Sequence, residues 1–147
     1  MRMNIIGSCE RYFTPVGRII VGAFFLLAGI DKIMTFSGKV AWVDSLGYPV
    51  ASLLIIGAIV VEVGAGAALI LGYKRMHAAL ALALFTLVAA IMFHGPGLWA
   101  DNPTEQLMFM KNLALMGGLL FMAAHVGQSC CSPDHDHSKD NDPVATL

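Results

Sequence analysis

Charge is scarce in this 147-residue chain: Asp, Glu, Lys and Arg make up 13% of it, against about 25% in soluble domains. With 57% hydrophobic residues beside that shortage, a water-soluble globular domain is excluded. The net charge is −1, and no basic patch with interleaved aromatics occurs, so nucleic acid is not an expected partner. Cysteine is scarce too. Cys9, Cys130 and Cys131 are too few and too badly spaced for a disulfide framework. There is no CxxC pair, no haem-attachment CxxCH, no Rossmann glycine pattern and no paired cysteine inside the apolar segments. The chain therefore shows no redox centre of its own. Arg11 and Arg18 followed by IIVGAFFLLAGI have the outline of a secretory leader. Asp31 and Lys32, however, stand where a small-residue cleavage site belongs, and the apolar run continues to Phe36, so the segment reads as a retained span.

What is present is a set of long apolar segments. Crossing a bilayer takes ~20 predominantly apolar residues, and four segments meet or approach that, at about 16–36, 49–72, 76–94 and 105–126. The expected fold is all-α, an integral membrane antiparallel four-helix bundle over residues 1–127. Residues 1–14 read as an interfacial lead-in, with Pro15 at the start of the first helix. SGKVAWVDSLGY, 37–48, is amphipathic and reads as a short interfacial helix ended by Gly47 and Pro49. GYKR, 72–75, is a tight basic turn, and GPGLWADNPT, 95–104, a Gly/Pro loop holding Trp99. Thr104 and Glu105 look like an N-cap and a first-turn acid for the fourth span. Residues 128–147 turn polar and read as a disordered tail. Four spans put both termini and the basic turn on one side, with Arg2, Arg11, Arg18, Lys74, Arg75 and Lys139; the other side has Lys32, Lys39 and Lys111. The excess predicts cytoplasmic termini in a multi-pass protein of the cytoplasmic (inner) membrane.

The stretch IIGAIVVEVGAGAALIL, 55–71, carries Glu62 inside an apolar run. Ionised carboxylates at that depth cost several kcal/mol unless paired or hydrated. Ala58, Glu62, Ala65, Gly66 and Leu69 share a helix face of small residues, which aims Glu62 at another helix rather than at lipid. The other spans carry comparable stripes: Arg18, Gly22, Phe25, Gly29 and Lys32; Ala79, Ala83, Thr86, Ala90 and His94; Lys111, Leu115, Gly118, Met122 and His125, with Asn112 at the margin. By helical rise Glu62 lies roughly 15 Å from the cytoplasmic end of its span. An intramembrane Arg18–Glu62 pair is expected, either as a structural tie or as a proton-handling or ligand-contacting group. Nearer the opposite surface Asp31, Lys32, His94 and Asn112 share a height and form an expected outer polar pocket under Trp99. There His94 is either an interfacial helix-end residue or a hydrogen-bond partner for a bound carbonyl compound such as a quinone. In the tail, Cys130, Cys131, His135 and His137 offer thiolate and imidazole ligands at short spacing for weak metal binding, the alternative being a solvated tail.

Arg18 followed by GAFFLLAGIDKI, then SLGYP, then Glu62 with VGAGAALILGYKR, then His94 and KNLALMGGLL resemble the DoxX family of small four-span bacterial membrane proteins. The resemblance covers about residues 15–127. It implies a four-helix membrane bundle and carries Arg18, Lys32, Glu62 and His94 over as matching polar positions. Since the family's name comes from a subunit of a thiosulfate:quinone oxidoreductase, it also implies an accessory or quinone-interacting subunit of a membrane redox or oxidative-stress system. The expected cofactor is at most a bound quinone, and the expected partners are membrane lipid, a redox partner subunit and a second copy of the chain. No catalytic residue is assigned; an enzymatic role would be that of a quinone-linked oxidoreductase. The rival readings are a small-molecule transporter or carrier, and a membrane scaffold or metal-handling protein using the Cys/His tail.

Overall fold

In a computed structural model, which describes residues 3–98 and 102–128, with side chains for 13–98 and 102–125, the chain folds into five α-helices. They are α1 (Met3–Met34), α2 (Phe36–Ser45), α3 (Ala51–Leu71), α4 (Arg75–His94) and α5 (Pro103–Gln128), with a short 3₁₀ turn at Pro96–Leu98 before α5. No strand occurs among the described residues. The windows Phe13–Met34, Ala51–Leu71, Arg75–His94 and Pro103–His125 are each long and apolar enough to cross a membrane. The outward faces agree. Ile20, Leu27, Val60, Leu84 and Phe121 are between 64% and 67% exposed, an arrangement suited to lipid rather than water.

The boundaries follow local chemistry, in two places against expectation. Pro15 lies inside α1 and does not start it. A proline removes one i→i−4 hydrogen bond, and the turns on both sides keep theirs, so the helix runs on toward Met3. Thr104 is not the cap of α5. Asn102 takes that role: its Oδ1 accepts the Thr104 backbone N–H at 3.1 Å, and Pro103 follows as the first helical residue. Proline suits that position, because its missing N–H is one of the donors left over at a helix start. Glu105 does occupy the first turn. Between α1 and α2 the chain bends at Thr35, whose hydroxyl donates to the Asp31 carbonyl at 2.7 Å and competes with the helix ladder.

α2 is the expected short amphipathic helix. Val43 is fully buried with Ala51 and Ile55 of α3, Trp42 lies 5.4 Å from the Phe93 ring of α4, and the Tyr48 hydroxyl donates to the Met92 carbonyl at 2.6 Å. α2 thus closes one end of the bundle. The basic turn between α3 and α4 marks the other end, where Gly72 caps α3 in the left-handed conformation.

α1 packs along α3, and α4 along α5, each pair antiparallel, while α3 and α4 join the pairs at the turn end. The α1–α3 seam is set by glycine: a Cβ on Gly22 would stand 2.8 Å from Ile70 and 2.9 Å from the Gly66 carbonyl oxygen. Phe25, Leu69, Ala79, Leu82, Ala83, Leu119 and Ala123 fill the turn-end half as a dry cluster. Toward α2 the two helix pairs part.

Candidate functional site

In an α-helix each Cα–Cβ bond tilts toward the N-terminus. Because α1 and α3 are antiparallel, Lys32 leans back into the bundle while Glu62 leans toward the α2 end, and the two converge. Lys32 Nζ donates to Glu62 Oε1 at 2.9 Å and to Oε2 at 2.8 Å, with the Ala28 carbonyl at 3.5 Å as a weaker third neighbour. The Glu62 side chain is 6% exposed and that of Lys32 23%, so the pair is largely removed from the surface. Gly29 permits the approach, since a Cβ there would stand 2.7 Å from Val63 and 3.2 Å from Glu62 Cβ.

The expected Arg18–Glu62 pair does not form. The same tilt turns Arg18 away from Glu62 and toward the turn end, where its guanidinium sits against Gly72; a Cβ on Gly72 would stand 2.8 Å from Nη1. Gly72 and Glu62 are ten residues apart along α3, roughly 15 Å, beyond an arginine's reach. Arg18 instead lies at the C-terminal end of α3, where a cation complements the helix dipole. Its Nε is buried without a hydrogen-bond partner among the described residues.

The outer polar pocket divides. Lys32, His94 and Asn112 line one half-open cavity of about 970 Å³, which also reaches Glu62, Thr86, Lys39 and Lys111. Asp31 does not line it; that side chain is 59% exposed and pairs with Lys39 at 3.4 Å. His94 Nδ1 lies 2.5 Å from Glu105 Oε2, tying the end of α4 to the first turn of α5. Trp99 and the tail ligands Cys130, Cys131, His135 and His137 lie outside the described residues. Among the described residues no three His, Cys, Asp or Glu side chains gather to hold a metal.

The walls are apolar, with Phe24, Phe25, Val61, Phe85 and Leu115 prominent, and every helix contributes. The volume is near the upper end of the ~300–1,000 Å³ of small-molecule pockets. The dry cluster lies beyond it toward the turn end. Among the lining residues with hydroxyl or amino groups, Thr35, Lys39, Thr86 and Lys111 escaped the sequence reading as site residues. For Thr86 and Lys111 the signal was their place on the polar stripes. The Thr86 hydroxyl is spent on the Leu82 carbonyl, to which it donates at 2.7 Å.

Fold and site together define a multi-pass helical-bundle protein of the membrane, with a half-open polar-lined cavity at one end. The chain belongs to the DoxX family, whose profile, described as DoxX, matches residues 13–95. Two Escherichia coli relatives are named inner membrane proteins. YqjF is 36% identical over 108 residues, 74% of this chain and 79% of its own length. YphA is 30% identical over 128 residues, 84% of this chain and 89% of its own. The names and the four apolar helices make this a multi-pass inner-membrane protein. No solved structure matches it. Lys32, Glu62 and His94 fall inside the DoxX match, whereas α5 with Lys111 and Asn112 lies beyond it.

Proposed function

We propose that this DoxX-family protein is an accessory, quinone-interacting subunit of a membrane redox system, with the cavity at the α2 end holding the quinone. One observation carries the reading: predominantly apolar walls from every helix line a half-open space that a few polar groups, Asn112 among them, also reach. A quinone needs that pairing, an apolar slot for ring and tail and a few donors for its carbonyl oxygens. Lys32 is a poor donor here, because Glu62 takes two of its N–H groups. Asn112, whose amide has two N–H donors, is the better one. Electrons would come from a partner subunit, since the sequence has no CxxCH and no dinucleotide-binding glycines. The lysine and arginine excess at the turn end supports cytoplasmic termini, with the cavity toward the opposite surface.

The test is mass spectrometry of lipids extracted from purified protein, followed by titration with decylubiquinone in phosphatidylcholine nanodiscs. Co-purified quinone and saturable binding, weakened by Asn112→Leu, are the expected results. Absence of both overturns the reading. A carrier is the second reading, favoured by charged groups lining a cavity at membrane depth. It requires the dry cluster around Leu69, Leu82 and Leu119 to open, and uptake into proteoliposomes distinguishes it.

A further inference from the structure

Four basic side chains line the cavity: Lys32, Lys39, Lys111 and His94. Carboxylates hold three of them, Glu62 on Lys32, Asp31 on Lys39 and Glu105 on His94. Lys111 differs. Its hydrogen bond goes to the Met108 thioether sulfur at 3.3 Å, a weak acceptor, and it meets no carboxylate among the described residues. Lys111 stands eight residues into α5 from Pro103, about 12 Å along the helix, within a window apolar enough to span the membrane. An ammonium at that depth is costly without a counter-charge or water. Among the described residues the acids beside the cavity, Glu62, Asp31 and Glu105, are already engaged, which leaves Lys111 open to an anion from outside the chain. Asn112, the next residue on α5, also lines the cavity and adds a neutral donor.

We infer that the cavity takes an anionic amphiphile, its carboxylate or phosphate on Lys111 and its apolar chain along Phe24, Phe25, Val61 and Leu115. The inference rests on the cavity being a ligand site but not on a quinone being the ligand. A neutral carbonyl leaves the Lys111 charge uncompensated, whereas an acid neutralises it and forms a charge-assisted hydrogen bond. A free fatty acid and an acidic phospholipid of the surrounding bilayer both present this chemistry.

Full-length protein in phosphatidylcholine nanodiscs is titrated with lauric acid and, separately, with dodecanol, which has the same chain and no charge. Lauric acid is expected to bind roughly tenfold more tightly. Lys111→Met abolishes that preference by weakening the acid to the level of the alcohol, and Lys111→Arg keeps it. The Lys111 side chain is exposed, and its replacement leaves the packed core untouched. Native mass spectrometry after exchange into phosphatidylglycerol nanodiscs separates the sources: a retained phosphatidylglycerol that Lys111→Met releases makes the ligand the phospholipid, and retention of lauric acid alone makes it the free acid. Equal affinity for acid and alcohol, or a preference that survives Lys111→Met, overturns the inference. Decylubiquinone binding, measured in parallel, reports on the quinone reading by itself.

Discussion

Gly22 and Gly66 meet backbone to backbone across α1 and α3. A Cβ on Gly22 would stand 2.9 Å from the Gly66 carbonyl oxygen, and one on Gly66 would stand 3.0 Å from the Gly22 carbonyl oxygen. Backbone cannot move aside as a side-chain tip can, so either alanine forces the two helices apart.

Gly22→Ala and Gly66→Ala are therefore expected to destabilise the protein by about 1–3 kcal/mol each, the usual range for overpacking. Gly117→Ala and Gly118→Ala on α5 are the controls. An added Cβ meets nothing there, and alanine in place of a helical glycine is worth about 0.5–1 kcal/mol of stability. Thermal unfolding in detergent should separate the two pairs by sign. Similar losses in all four variants would show that the α1–α3 approach is not what these glycines permit.

Lys32→Met is expected to destabilise toward the low end of the about 3–5 kcal/mol typical of breaking a buried ion pair, since Lys32 keeps some exposure. The combination of Lys32→Met with Glu62→Leu should recover much of the loss, because it removes the stranded carboxylate as well. Arg18→Met combined with Glu62→Leu should be additive to within about 0.5 kcal/mol, as sites without shared partners are. A double-mutant cycle by unfolding in detergent measures both couplings. Strong coupling between Arg18 and Glu62 would contradict the geometry.

That cycle also marks where the sequence stops being informative. Four apolar runs, the basic turn and the amphipathic piece before Pro49 place α2 to α5 and the end of α1 within a few residues, because length and hydropathy act locally. The start of α1 is missed, since the helix runs through Pro15 back to Met3. The glycines of the first span likewise point to a close helix face. Which cation reaches Glu62 depends instead on the antiparallel register of α1 and α3 and on the tilt of each Cβ, and neither is written in one segment. Depth alone made Arg18 plausible; direction excludes it. His94, Lys32 and Asn112 reach one cavity as their shared height implies. Asp31 has that height but turns outward to Lys39. The cavity itself was illegible, since it arises where the α1–α3 and α4–α5 pairs part, a property of packing between segments.

Val50 adopts φ 59°, ψ 38° just before α3. For a β-branched residue this left-handed conformation is a true outlier and costs about 1–3 kcal/mol. Val50 is 63% exposed, so little packing offsets the strain. Val50→Gly is expected to raise stability by about 1 kcal/mol, seen as a higher unfolding temperature in detergent. A lower temperature would show that the valine side chain contributes more than its backbone conformation costs.

Gly57 gives the most direct handle on the cavity. It lines that space from α3, and a Cβ built on it meets nothing within 4 Å. A large side chain can therefore grow into the cavity without displacing a helix. Gly57→Leu should fold with unchanged or higher stability, since a helical glycine is worth about 0.5–1 kcal/mol less than alanine. Its leucine occupies volume that a ligand needs, so affinity for lauric acid and decylubiquinone should fall together, by roughly tenfold or more for the loss of a few apolar contacts. Gly64→Leu is the matched control: the same helix, equally open space, and no place in the cavity wall. It should bind both probes like the unaltered protein. If Gly57→Leu binds them as well as Gly64→Leu does, the ligands sit elsewhere, and both the quinone site and the Lys111 anion site are misplaced.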